Sequence, residues 1–370
     1  MRIAINCRSF LLRQYAGIGR YASNLVKHLS EIDSKNEYYL YAKKGIFDFR
    51  RQFPRIRAKN FIVKSDYFNS GLNKTLGPTE VYHSPSPDLL EIDNTKIVVT
   101  IHDLVYKAFP QGHTQSTLEM TEKQMQGIIK KATRMICVSQ STRNDLHKFF
   151  SIDKSKTSVV YHGVDKNEFF PLRDGEYETA LSLVRSKGVE GPYLLSVGTI
   201  EPRKNLENIL FAFSLLKSKK KFNGVLVCIG AEGWMTDRLG ETIKQLNLAK
   251  DVVFLGYVTN RELRYFYNLA EAFVFPSFYE GFGFPILEAF HCKAAVVTSN
   301  VSSCPEIAGD AALIVNPQKF EEIAAAIERF LVDKNFKSQM QQRAIKRAGD
   351  FSFLNMAKET LKVYEAAFQG

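Results

Sequence analysis

Short apolar runs alternate with helical stretches along this sequence, and the series is run twice. "RIAINC" reads as a strand, and "GIGRYASNLVKHLSEI" after it places Ile18, Tyr21, Leu25, Val26 and Leu29 on one helical face. "EYYLYAK", "NFIVK", "EVYHS" and "KIVVTIHD" continue as strands. A helix is predicted over 115–132, and "RMICVSQST" runs from a strand into a helix cap before "TSVVYHGVD" closes the first series. A polar, irregular stretch, 166–191, separates it from the second. There "PYLLSVGTI", "GVLVCIG", "DVVFLGYV", "AFVFPS" and "AAVVTSN" are each followed by a helical segment. Such alternation folds into parallel sheets covered by helices, and 370 residues exceed one comfortable core. The expectation is an α/β chain of two parallel-sheet domains facing across a cleft, 1–167 and 168–353. A final amphipathic helix, 354–370, packs back toward the first domain. In such sheets ligands sit outside the carboxyl ends of the strands.

Charge is unevenly divided. Residues 1–170 hold 26 Lys+Arg against 16 Asp+Glu, whereas 171–370 hold 24 against 23. The densest basic stretch, 43–64, carries eight basic residues, one acid and several Phe and Ile. That mixture suits a solvated face, or contact with anionic lipid or polyphosphate. The five cysteines are scattered with no CxxC pair, which points to buried reduced thiols rather than zinc or a disulfide framework. "MRIAINCRSF" is too short and mixed for a signal peptide, and no apolar run approaches membrane-spanning length. A cytoplasmic protein is expected, peripheral on the inner face of the cytoplasmic membrane if 43–64 binds lipid.

Several motifs fall at strand ends. In "SVGTIEPRKNLENIL" a strand ends at Val197, and Arg203 and Lys204 precede a helix beginning near Leu206. Two cations beside free helix-end amides suit a diphosphate. "GIGRYA" superficially fits a dinucleotide fingerprint, but Gly17 lies too far past its strand. Gly17 and Gly19 remain candidates for a glycine loop that approaches a ligand, or for a simple loop-to-helix turn. "VVTIHDL" places His102 and Asp103 where a buried strand ends, as hydrogen-bonding partners of a substrate or as core and cap. His162 and Asp165, in "YHGVD", read as a structural turn. In "FPSFYEGFGFPILEAF", Pro285 fits a first helical turn and Glu288 lies within that turn, while Glu280 sits in the preceding loop. Gly281 and Gly283 permit unusual backbone angles beside it. The two acids suit hydroxyl recognition or hydrolytic acid/base work, and the upstream cations favour the former.

"GTIEPRKN", "FYEGFGFPILEAF" and "SNVSSCPEIAGDAALIVNP" together resemble the retaining nucleotide-sugar glycosyltransferases of family 4, with the two-domain, Rossmann-like GT-B fold. The resemblance covers nearly the whole chain and is tightest in the second half, where Glu280 to Glu288 matches an E-x7-E motif. It implies that Arg203 and Lys204 bind the donor diphosphate and stabilise the departing nucleotide. Glu288 holds the ribose, Glu280 faces the donor sugar, and amides of Gly281, Phe282, Gly283 and Phe284 line it. Gly17 and Gly19 match the N-terminal loop near the phosphates, His102 a histidine near the transferred sugar, and Val258 the place where backbone meets the base. Ser302 and Ser303 stand where related sequences vary and receive no role.

Retention without an enzyme nucleophile then fits front-face attack by the acceptor hydroxyl. With no D-x-D pair, neither a catalytic metal nor another cofactor is expected beyond the nucleotide-sugar co-substrate. The motifs are similar to those of GDP-mannose-dependent mannosyltransferases of bacterial O-antigen and lipopolysaccharide biosynthesis, with a glycan or lipid-linked acceptor and no nucleic acid partner. A UDP-sugar transferase, a nucleotide-sugar epimerase and a non-catalytic sensor are the competing readings.

Overall fold

The computed structural model describes residues 1–10, 17–43, 56–88, 91–112, 114–231, 233 and 236–370. Two compact units form, Met1–Gly163 with Phe351–Gly370, and Val164–Asp350. These changes of unit fall a few residues before the expected 167/168 and 353/354.

The first unit contains β1 (Arg2–Asn6), β2 (Glu37–Lys43), β3 (Phe61–Asp66), β4 (Val81–Ser84), β5 (Lys96–Ile101), β6 (Arg134–Cys137) and β7 (Thr157–Val159). They pair in parallel in the order β3-β2-β1-β4-β5-β6-β7. Side chains of a strand alternate between faces, and β1 shows it. Ile3 and Ile5 enter a core with Tyr21, Leu25 and Leu29 of the helix Gly17–Ile32, whereas Ala4 joins Val99 and Ile128 on the other side. Both faces are covered, so these strands read as continuous apolar runs.

The terminal helix Phe353–Gln369 belongs to this unit, where Met356, Ala357, Val363, Tyr364 and Ala367 pack into the first of those cores. Each large apolar side chain fully buried there contributes about 1.5–3 kcal/mol. The return of the chain is tight at Gly163, because a Cβ on that residue would collide with the backbone of Ser352 and Phe353. Gly163→Ala is therefore expected to cost about 1–3 kcal/mol through overpacking. Urea midpoints of the two proteins measure it, and equal midpoints would show that the contact yields freely.

The second unit contains β8 (Tyr193–Val197), β9 (Val225–Ile229), β10 (Val252–Gly256), β11 (Ala272–Phe275), β12 (Val296–Ser299) and β13 (Leu313–Val315), in the order β10-β9-β8-β11-β12-β13. Its pairs are also parallel, with Leu194 opposite Leu226 on one side and Ala272 on the other. Leu194, Leu226, Val274 and Val297 share a core with the helices Leu206–Ser218 and Phe320–Val332.

One expectation is corrected. The irregular stretch 166–191 contains a helix, Tyr177–Ser186, which buries only Ala180 and Val184. So narrow an apolar stripe leaves little periodic signal. A bidentate ion pair from Arg264 to Glu176, at 2.7 and 3.0 Å, ties its start to the helix Asn260–Leu269.

All five cysteines are buried free thiols. Residues 44–55 of the basic stretch 43–64 lie outside the described residues. Among the described residues no helix is long and apolar enough to cross a membrane.

Candidate active site

In the second unit β8 and β11 are neighbours in the sheet although β9 and β10 lie between them in the chain. Chain connections leave these two strands toward opposite edges, which opens a crevice at their carboxyl ends. The segments carrying Arg203, Lys204 and Glu280 follow those two strands.

After β8, Gly198 takes φ 145°, and the stem of Lys204 packs beside it, so that a Cβ there would lie 3.2 Å from Lys204 Cε. Pro202–Lys204 form a short 3-10 turn, and Asn205 adopts a left-handed φ of 61° before the helix from Leu206. The Asn205 amide donates to the carbonyls of Pro276 (2.9 Å) and Pro317 (2.7 Å). Phe278 N–H donates to Arg203 O at 2.8 Å. Turn and loop are thereby locked together.

Glu280 is the centre of the cluster, at 7% exposure. Lys204 Nζ donates to its Oε1 at 2.6 Å, and Arg203 Nη1 donates to its Oε2 at 2.9 Å and to Tyr279 O at 3.0 Å. Arg203 Nη2 meets Glu201 at 2.6 Å. Burial pushes the Glu280 carboxyl up, but Lys204 and Arg203 outweigh that and hold it below its ordinary range. The site thus sets two cations against an ionised carboxylate at the point where such sheets bind ligands.

Gly283 uses its conformational freedom, at φ 103°, where the loop turns into the helix Phe284–His291. That helix has Pro285 in its first turn, as expected, but it begins at Phe284 and carries Glu288 just beyond the first turn. Glu288 is buried, and Tyr267 Oη donates to its Oε2 at 3.2 Å. Phe282 and Phe284 pack edge to face, with ring centroids 5.2 Å apart. Val258 is buried beyond the edge strand β10, next to a capping box made by Thr259 and Glu262.

The remaining candidates lie in the first unit, apart from Asp165, which follows the start of the second at Val164. Gly17 and Gly19 open the helix Gly17–Ile32, the simpler of the two readings of this motif, with Gly19 buried. His102, half-buried just past β5, donates from Nε2 to Pro85 O at 2.7 Å. It stacks on His162 with centroids 5.6 Å apart and meets the edge of Tyr21 at 5.2 Å. Asp103 and Asp165 accept from main-chain N–H groups two residues on, at 3.1 and 2.9 Å, as local turns.

Sequence reading missed Glu201, Asn205 and Tyr267, and gave no role to Ser302 and Ser303. Asn205 was within reach, since Asn before a helix tolerates the left-handed region. Tyr267 and Ser303 act across 21 residues of sequence, a separation that local patterns do not record. Among the described residues no group of three or more His, Cys, Asp or Glu could hold a metal ion.

Two family models together cover most of the chain. Residues 184–347 match the family model described as Glycosyl transferases group 1, and 15–168 match Glycosyltransferase Family 4. O-antigen chain mannosyltransferase B of Escherichia coli is 30% identical over 374 residues, covering 94% of this chain and 96% of the relative. The chain belongs to the family 4 glycosyltransferases. Its fold is that of the GT-B glycosyltransferases, two parallel-sheet Rossmann-like domains. Sucrose-phosphate synthase from Thermosynechococcus elongatus aligns with a TM-score of 0.75 at 20% identity, over 100% of this chain and 99% of the other. Anabaena HepE, in complex with UDP and glucose, aligns with a TM-score of 0.73 at 16% identity, over 99% and 100%. In this glycosyltransferase the group 1 match contains Arg203, Lys204, Glu280 and Glu288, and the family 4 match contains Gly17, Gly19 and His102.

Proposed function

We propose that this glycosyltransferase moves mannose from GDP-mannose, with retention, to a glycan or lipid-linked acceptor in O-antigen assembly. The observation that carries the reading is the convergence of Arg203 and Lys204 on Glu280 at the strand crevice. Mannose is favoured by the near full-length match to the E. coli O-antigen chain mannosyltransferase.

In this mechanism the diphosphate lies against Arg203 and Lys204 and the amides that open the helix Phe284–His291. The bond from the anomeric carbon to the diphosphate oxygen breaks as negative charge grows on the leaving group. Fixed cations stabilise that charge without reorganising, which is where electrostatic catalysis is strongest. The acceptor hydroxyl oxygen bonds to the same face of the anomeric carbon, and its proton passes to the departing phosphate. Glu280 holds the two cations and addresses the sugar, while Glu288 accepts hydrogen bonds from ribose hydroxyls. No metal takes part in this scheme.

A UDP-sugar donor is the second reading, favoured by the fold shared with HepE, whose structure holds UDP and glucose. Thermal stabilisation separates the two. A ligand confined to the folded state adds about 2.7 kcal/mol at a hundredfold excess over its Kd, so GDP-mannose is expected to raise the melting temperature progressively, with the logarithm of its concentration above Kd. A shift with UDP-sugars and none with GDP compounds would sink the mannose assignment. A β-linked mannose in the product, read by NMR from the α-linked donor, would sink retention.

A further inference from the structure

Two serines of "SNVSSCPEI" hold the main chain of Glu280 from both sides. Ser302 Oγ accepts from Glu280 N–H at 3.0 Å. Ser303 Oγ, fully buried, donates to the carbonyls of Glu280 (3.0 Å) and Phe282 (2.8 Å), sharing its single hydrogen between them.

Neither serine is explained by its own local structure. Ser303 occupies the N-cap position of the helix Cys304–Ala308, where a serine ordinarily accepts from an amide of the first turn. Here no such side-chain cap forms, and the hydroxyl is spent on the Glu280 loop instead. Ser302 sits at φ 53°, in the left-handed region that glycine or asparagine occupies with less strain. A residue kept against its local preference at two successive positions signals a demand from elsewhere in the fold. The demand is visible at Glu280, whose carboxylate meets Lys204 at 2.6 Å and Arg203 at 2.9 Å. A shift of its backbone would misdirect both bonds.

We propose that Ser302 and Ser303 are positioning residues that fix the Glu280 main chain so that its carboxylate sets Arg203 and Lys204 toward the donor. The use of that restraint in turnover rests on the transferase reading; the restraint itself does not.

Ser302→Gly is the decisive variant, since it suits the left-handed backbone and removes only the acceptor. Ser302→Asn tolerates the same backbone and restores a side-chain oxygen. Ser303→Ala tests the second bond. Amide hydrogen exchange at Glu280 is expected to accelerate about tenfold in Ser302→Gly, the scale of one lost net hydrogen bond. With GDP-mannose, or whichever nucleotide sugar supports turnover, kcat is expected to fall about tenfold with KM nearly unchanged, as for a modest misplacement of a reacting group. Ser302→Asn recovers most of both effects, and Ser303→Ala loses kcat in the same pattern.

Faster exchange at full kcat would make the bonds merely structural and overturn the proposal. Unchanged exchange at Glu280, or no recovery in Ser302→Asn, would overturn it as well. If the wild-type protein turned over no nucleotide sugar while exchange accelerated as expected, the transferase reading would fall and the restraint on Glu280 would stand.

Discussion

Lys204→Ala is expected to lower kcat by about 10²–10³ while the protein remains folded, the cost typical of removing one donor aimed at developing charge. The ammonium reaches Glu280 at 2.6 Å, lies 4.9 Å from the centre of the Phe275 ring, and has a side chain 14% exposed. In that partly dry setting its charge acts more strongly on a departing diphosphate than it would in water. The fold survives because Arg203 still accompanies the buried Glu280 carboxylate, so no lone buried charge is created. If the charge matters mainly as the bond breaks, kcat falls more than KM changes. Lys204→Arg should not rescue fully, because a planar guanidinium presents its charge and donors differently from the compact ammonium it replaces. Activity within about twofold of wild type would refute the leaving-group role, since one such donor is worth roughly 10²–10³.

Much of this site was legible because its chemistry is written locally. The Pro-Arg-Lys-Asn turn, the Gly283 bend and Pro285 are short-range signals of strand end, loop and helix start. Strand β2 coincides with "EYYLYAK" because an apolar run between polar ends has few alternatives. Strand β13 is three residues long and passed unseen inside "AALIVNP", and the helix Tyr177–Ser186 buries too little to leave a stripe. Sheet order was not legible either, yet it is what makes β8 and β11 neighbours and brings Glu280 to Arg203 across 77 residues. The glycines at 17 and 19 fall where the helical periodicity of "GIGRYASNLVKHLSEI" puts them, in the first turn of Gly17–Ile32.

The first unit is expected to lose stability steeply as pH falls below about 6.5, the ordinary histidine value. Three of its histidines surround Tyr21. Thr100 Oγ1 lies 2.9 Å from both Tyr21 Oη and His83 Nε2, while His83 Nδ1 lies 2.6 Å from Tyr364 Oη on the terminal helix. His162 meets Tyr21 edge-on at 4.9 Å and stacks on His102. Burial pushes His83 down to about 3, with His102 adding to the shift. Burial likewise lowers His102, against the opposing pull of the Pro85 carbonyl and Asp103, and holds His162 well below its usual range. Each ring is therefore neutral when folded and takes a proton once released. Between about pH 6.5 and its folded pKa, each histidine makes the unfolded state bind more protons, so unfolding becomes easier by up to about 1.4 kcal/mol per pH unit. His83 and His162, the two strongly lowered rings, together approach about 2.8 kcal/mol per unit, and His102 adds in the same direction, a large share of a stability of about 5–15 kcal/mol. The second unit differs. Its buried His291 is lowered to about 4, and its ion-paired Glu176 and Glu262, held down at about 2, lose their contribution only as pH falls from the carboxylate range toward that value. Hydrogen exchange in peptides of each unit, corrected for intrinsic rates from pH 7 to 5, should show the first unit opening earlier. His83→Gln, which keeps hydrogen-bonding atoms without the titration, should flatten the slope by up to about 1.4 kcal/mol per pH unit. Equal protection of the first unit at pH 7 and pH 5 would mean that these rings accept protons without leaving the fold.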